Sequence, residues 1–134
     1  PHLVHVDLSF CRALGEGIGS SLRPCHQTLQ ALSLRGMGVS SKVVEDLRHF
    51  RQLTYLDISQ SVTRDSRKVT QACLIEGLPG LERLKKLSLA WNKGVTDAVV
   101  EQLCIGVKGL VELDLSLCDQ ITSRSIQVKL FAYA

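Results

Sequence analysis

The side chains best suited to binding a metal in this chain are four histidines and five cysteines. Zinc sites are recognised in a sequence by ligand pairs at short spacing, such as C-x-x-C or H-x-x-x-H. Cys25 and His26 are adjacent, but no second pair of either type accompanies them. The remaining histidines form no H-x-x-x-H pair: His2, His5 and His49. We therefore expect no metal site.

Catalytic chemistry is also not predicted. No cysteine or serine lies beside a suitable base in the sequence, as an activated nucleophile requires. The glycines Gly15, Gly17 and Gly19 are similar to a phosphate-binding loop only in being glycines, because no Lys-Ser or Lys-Thr follows them at the required spacing. We expect no catalytic residues, no enzyme activity and no cofactor.

The cysteines are odd in number and include no tight pair, which argues against a disulfide framework. They are Cys11, Cys25, Cys73, Cys104 and Cys118. We expect buried thiols, which behave as small apolar side chains. Free thiols are typical of a reducing compartment, so the sequence favours the cytoplasm or the nucleus.

The bulk composition limits the classes of partner. With 134 residues, of which 45% are hydrophobic, the chain fits a single domain over residues 1–134. No apolar run reaches the ~18 residues of a membrane-spanning helix, so no membrane association is expected. The net charge is only +3 and aromatic residues make up 4%, so a nucleic-acid partner is not favoured.

A nine-residue pattern, L-x-x-L-x-L-x-x-C, organises the chain. Its clearest copy reads L-V-E-L-D-L-S-L-C at residues 110–118, and five copies occur at intervals of 26, 24, 31 and 26 residues. The copies begin at Leu3, Leu29, Leu53, Leu84 and Leu110. Apolar residues at positions 1, 4 and 6 do not share one face of a helix, but they fit a turn followed by a short strand. We expect all three positions to be buried.

The segments between the copies predict helices. Val100, Leu103, Cys104 and Val107 form one apolar helical stripe, with Thr96 as N-cap and Asp97 favourable at the helix N-terminus. Val43, Val44 and Leu47 indicate a similar helix, capped by Ser40 or Ser41. Further helices are predicted at 18–22, 68–76 and 126–131.

Alternating strands and helices of constant size predict an α/β solenoid of about five repeats. Its parallel strands would line a concave face, and its helices a convex face, because helices are wider than the spacing between strands. Leu32, Leu56, Leu87 and Leu113 should then form one buried row.

This pattern resembles that of leucine-rich repeat proteins of the cysteine-containing subtype. The resemblance is carried by residues 110–126 and by V-T-D at 95–97. The subtype is known from F-box substrate receptors, so the resemblance implies a substrate-recognition region of a cullin-based ubiquitin ligase receptor. The F-box, which would contact the other ligase subunits, would lie outside this chain. We accordingly expect a fragment of a longer protein.

Positions 3 and 5 should point outward from the concave face and bind another protein. Tyr55 and Trp91 are the predicted aromatic anchors, and the aspartates would meet basic groups on the partner. The predicted partner-binding residues are His5, Asp7, Tyr55, Asp57, Lys86, Trp91, Glu112 and Asp114. Two alternatives stay open: the aspartates could simply be solvated or bond within the sheet, and Trp91 could simply pack on Leu117.

Additional contacts are expected at the edge of this face. The residues are Phe10, Arg64, Arg67, Lys68 and Leu117. Three of them belong to the basic insertion at 61–68, whose role is either a contact loop or a tolerated insertion.

Two further functions compete with substrate recognition. One is a leucine-rich repeat scaffold or adaptor in a signalling or structural assembly unrelated to ubiquitin. The other, weaker on these residues, is a nucleic-acid contact through Arg64, Arg67 and Lys68, which would be sensitive to salt.

Overall fold

The computed structural model describes residues 2–60 and 69–132 of the chain, with side chains as far as Gln127. These residues form five short strands and five α-helices in alternation. The strands are β1 (His5–Asp7), β2 (Ala31–Ser33), β3 (Tyr55–Asp57), β4 (Lys86–Ser88) and β5 (Glu112–Asp114). The helices are α1 (Ile18–Leu22), α2 (Ser41–Leu47), α3 (Gln71–Gly77), α4 (Asp97–Gly106) and α5 (Ser123–Ala132). Two 3₁₀ turns, Arg12–Leu14 and Arg23–Cys25, flank α1.

The five strands form one parallel sheet in chain order, β1-β2-β3-β4-β5. Equivalent positions of the nine-residue pattern pair in register across the sheet: Leu32 with Leu56, Leu56 with Leu87, and Leu87 with Leu113. The predicted α/β class, the parallel pairing and the alignment of this leucine row are therefore confirmed. The prediction that the whole row is buried is wrong for Leu113, which is only partly buried on β5 at the end of the sheet.

One hydrophobic core lies between the sheet and the helices. It joins strand leucines such as Leu56 and Leu87 to helix residues such as Val43, Leu74 and Leu103. Each helix also packs on the next one along the chain, from α1 to α5. Each fully buried leucine contributes on the order of 1.5–3 kcal/mol through loss of exposed apolar surface. The opposite face of the sheet is left without helices in the described part of the chain.

The predicted positions of the helices agree with the structure more closely than the predicted N-cap does. The helix predicted at 18–22 is confirmed as α1, whereas α3 begins at Gln71 rather than Lys68, with Thr70 as its N-cap. The Thr70 hydroxyl accepts the Cys73 N–H at 3.3 Å. Thr96 is the N-cap residue of α4, but its hydroxyl donates to Gln71 Oε1 at 2.8 Å instead of capping the helix.

The outer strand β1 departs from the predicted burial. Position 1 is fully buried at Leu29, Leu53 and Leu84, yet Leu3 is 48% exposed. Val6, at position 4 of the same copy, is only partly buried. The prediction that position 1 is buried is wrong for Leu3, because β1 has a strand neighbour on one side only within the described residues.

Candidate protein-binding face

The exposed sheet face, which we define by positions 3 and 5 of the five strands, contains most of the predicted binding residues. Position 3 alternates to this face because the leucine at position 4 turns into the core. His5, Tyr55, Lys86 and Glu112 are exposed there, as predicted, whereas Ala31 is half-buried.

The three aspartates at position 5 share one local structure. In each case Oδ1 accepts two hydrogen bonds from the serine two residues later, one from the backbone N–H at 2.9 Å and one from the hydroxyl at 2.5 Å. The pairs are Asp7 with Ser9, Asp57 with Ser59, and Asp114 with Ser116. These bonds close the bend at the strand exit, as Asp side chains do in Asx turns. The alternative of bonding within the sheet is thus realised.

Serines at position 5 of the intervening strands separate the aspartates. Ser33 Oγ lies 2.7 Å from Ser9 Oγ, and the Ser88 hydroxyl donates to Asp114 Oδ2 at 3.2 Å. Hydrogen bonds from Ser9 lower the pKa of Asp7, and those from Ser116 lower the pKa of Asp114, so both remain ionised near neutral pH. Alternation with serine keeps like charges from lying directly side by side.

Asp57 corrects one prediction. It was expected on the exposed face, yet only 7% of the residue is accessible. Asp57 is covered by the neighbouring strands β2 and β4 and by Tyr55 on its own strand. Asp7, on the outer strand β1, stays exposed. The main role of Asp57 is therefore to accept the hydrogen bonds of Ser59 in a buried position.

Tyr55 lies between two open depressions in the exposed sheet face. One, of about 420 Å³, is lined by β1–β3 and includes Arg35; the other, of about 390 Å³, is lined by β3–β5. Burial, followed by the nearby charge of Asp57, raises the pKa of Tyr55, so the phenol stays neutral. The ring is 36% exposed and offers an amphipathic contact at the centre of the face.

Arg35 was missed by the sequence analysis. Arg35 occupies position 7 of the nine-residue pattern, and the sequence analysis assigned no role to that position. Its guanidinium lies 6.0 Å from the ring centroid of Phe10. The position of an arginine two residues after the end of a strand was the available signal. Arg35 adds a cation to a face on which only Lys86 had been predicted.

Lys86 and Glu112 face each other across β4 and β5. Lys86 Nζ lies 2.9 Å from Glu112 Oε1, and both side chains are more than half exposed. An exposed pair of this kind contributes little to stability, about 0–1 kcal/mol. Its charges largely neutralise each other, so they add little to the net charge of the face.

Three exposed apolar side chains lie at position 8, just beyond the strands. Phe10, Trp91 and Leu117 are 56%, 45% and 64% exposed. Their backbones adopt positive φ values of 63°, 63° and 58°, a conformation that costs about 1–2 kcal/mol in residues other than glycine. Each bulky residue thus keeps a disfavoured backbone while leaving much of its side chain in solvent.

The equivalent residue of the second copy explains the geometry. Gly36 has φ 67° and adopts it without steric cost. A Cβ at Gly36 would lie 2.5 Å from the Phe10 ring, so the ring rests on the glycine backbone. The Phe10 N–H donates to Arg35 O at 2.7 Å, and the Trp91 N–H donates to Ser116 O at 2.9 Å. The left-handed bend thereby continues the ladder of hydrogen bonds beyond the strands.

Position 9 has a structural role. Asn92 Nδ2 donates to Ile58 O and Leu89 O, both at 3.0 Å, and the Cys118 thiol donates to Leu89 O at 3.2 Å. Burial raises the pKa of the Cys118 thiol, which therefore stays protonated. Cys25, Cys73, Cys104 and Cys118 are buried as predicted, but Cys11 is exposed. That prediction is wrong for Cys11 because no described unit precedes β1 to cover it.

Not every predicted residue falls on described structure. Arg64, Arg67 and Lys68 lie outside the described residues. Within residues 2–60 and 69–127, no group of three His, Cys, Asp or Glu side chains is arranged to hold a metal ion. No helix in the described ranges has the length and apolar character needed to cross a membrane.

The sequence was also compared with known proteins. No protein-family model matches the chain, and no curated protein matches it.

Proposed function

We propose that this chain is a leucine-rich repeat module that binds another protein on its exposed sheet face. In this proposal the five strand–helix units form a solenoid, with the sheet on its concave side. The register of the leucine row and the packing of each helix on the next support the repeat architecture.

One observation carries the binding role: Tyr55 and Trp91 remain substantially exposed although the polar groups around them are already bonded. The aspartates are bonded to serines, and Lys86 to Glu112. Among the described side chains, Phe50 is the only fully buried aromatic residue of the core, so Tyr55 and Trp91 are not needed to fill it. Exposed aromatic side chains of this type dominate the binding energy of protein interfaces.

We further propose that the bound protein is a substrate, and that the full-length protein is an F-box-type ubiquitin ligase receptor of the cytoplasm or nucleus. This step rests on the sequence resemblance. A leucine-rich repeat adaptor outside the ubiquitin pathway would use the same face, so the two functions differ in what the full-length protein recruits besides its partner.

Quantitative affinity capture tests the binding face. Proteins recovered with the wild-type chain should be lost, by about tenfold or more, with the Tyr55→Ala/Trp91→Ala double variant. Ile105→Ala is the matched control, because Ile105 is an exposed apolar residue (64%) on α4. Equal recovery with the double variant would refute the binding face. Recovery of cullin subunits with the full-length protein would favour the ligase receptor, and their absence the adaptor.

Folding must be intact for that comparison. Trp91→Ala should change the free energy of unfolding by less than about 1 kcal/mol, because nearly half of the side chain is already in solvent. Thermal denaturation followed by circular dichroism measures this. Unfolding of the variant at ambient temperature would assign Trp91 to the core instead.

A further inference from the structure

The exposed sheet face carries a charge opposite to that of the whole chain. Its carboxylates are Asp7, Asp57, Glu112 and Asp114, and its cation is Lys86; together with Arg35, which lies beside the face and lines one of its depressions, they give a net charge of −2. The complete chain carries +3. Complementary charge steers partners and selects among them more than it adds affinity. The face therefore selects against acidic segments.

The carboxylates of this face that are both exposed and unpaired lie at its two ends. Glu112 is paired with Lys86, and Asp57 is buried. Asp7 on β1 and Asp114 on β5 each retain a negative charge, and among the described residues neither forms an ion pair. Tyr55 lies between them on the central strand, with an open depression on either side.

The spacing between strands gives the distance between Asp7 and Asp114. Asp7 and Asp114 occupy the same register position on strands separated by four steps of the sheet, which is about 19 Å at ~4.8 Å per step. An extended chain advances ~3.3 Å per residue, so about six residues span that distance. A side chain midway along such a segment would meet Tyr55.

We propose that the partner docks through an extended segment that crosses the strands and carries two basic side chains about six residues apart, with an apolar side chain between them. The basic groups pair with Asp7 and Asp114, and the apolar group packs against Tyr55. This inference rests on the proposed function and specifies the chemistry of the partner.

Selection from a library of random nine-residue peptides, displayed against the 134-residue chain, tests the proposal. Enriched peptides should carry Arg or Lys at two positions about six apart with an apolar residue midway. Enrichment of acidic peptides, of peptides without this spacing, or of none above the background of the Tyr55→Ala/Trp91→Ala variant would overturn it.

The charge requirement is tested on a synthetic copy of the most enriched peptide. Asp7→Asn/Asp114→Asn should weaken its binding about tenfold, and 0.5 M salt should abolish most of the difference between the double variant and wild type. Asparagine keeps the oxygen that accepts from Ser9 or Ser116, so the strand exits stay intact. Asp119→Asn, an exposed acid outside the exposed sheet face, is the matched control and should bind normally.

The results of these experiments distinguish failure of this inference from failure of the proposed function on which it rests. Peptides that depend on Tyr55 or Trp91 but are indifferent to Asp7→Asn/Asp114→Asn would overturn the basic-segment proposal and leave the binding face standing. Binding that is unaffected by all of these changes would overturn both.

Discussion

The inner strands and the outer strand β1 carry the same pattern of apolar residues but bury it to different extents. Leu32 on β2, Leu34 just beyond β2 and Leu56 on β3 are completely buried, whereas Val6 and Leu8 of the first copy are only partly covered. Each inner unit has neighbours on both sides, and β1 has one. The pattern thus determines which way a side chain points, while the neighbouring units determine how much of its surface is buried.

The largest expected effect tests this difference with one residue type at one position. Leu56→Ala should lower the free energy of unfolding by about 2–5 kcal/mol, because it leaves a cavity in the central row. Leu113→Ala, in the same row on β5, should cost less than about 2 kcal/mol, because Leu113 is already partly exposed. Urea denaturation measures both. Equal losses would show that the outer unit is packed as fully as the inner ones.

A second comparison uses position 9. Asn92→Ala should cost about 1–3 kcal/mol, because it leaves the buried carbonyl of Ile58 without its side-chain donor and removes one of the hydrogen bonds to the Leu89 carbonyl. Asn92→Cys should recover part of that loss. Cys118, at position 9 of the next copy, donates in the same way to the Leu89 carbonyl of the copy before it. Cys11→Ala should cost less than about 0.5 kcal/mol because Cys11 is exposed. A large loss at Cys11 would contradict the distinction between inner and outer units.

The smallest effect concerns the contact between α4 and α5 and depends on pH. The Asp97 carboxylate accepts hydrogen bonds from the Ser125 hydroxyl and from both the N–H and the hydroxyl of Thr122. The Ser125 bond, followed by those of Thr122, lowers the pKa of Asp97 from 3.8 to about 2. The folded pKa is below the unfolded value, so this stabilisation is complete above about pH 4 and is lost as the pH falls towards 2.

The Asp97→Asn variant isolates that contribution. The difference in unfolding free energy between wild type and variant should be constant above about pH 4 and shrink below it. Chemical denaturation at a series of pH values measures the difference, and subtraction removes the parallel titrations of Asp7 and Asp114. A difference that stays constant down to pH 2 would show that the Asp97 charge does not hold α4 and α5 together.

The sequence by itself determined the repeating architecture. The spacing of apolar residues assigned the five strands, their register and the helix at 18–22, because side-chain direction follows from the period of each element. The regular alternation of strands and helices then implied parallel pairing in chain order. These properties depend on residues within one unit and its immediate successor, so local pattern suffices.

Only the tertiary structure decided the details of the exposed sheet face. The burial of Asp57 and the placement of Arg35 over Phe10 depend on residues about 25 positions away in adjacent units. The exposure of Cys11 depends on the lack of a described unit before β1. Phe10 and Trp91 have left-handed backbones, and the N–H group of each donates to a carbonyl group of the next unit. Alternation along a strand gives the direction of a side chain, but its accessibility and charge environment are set by the packed neighbours.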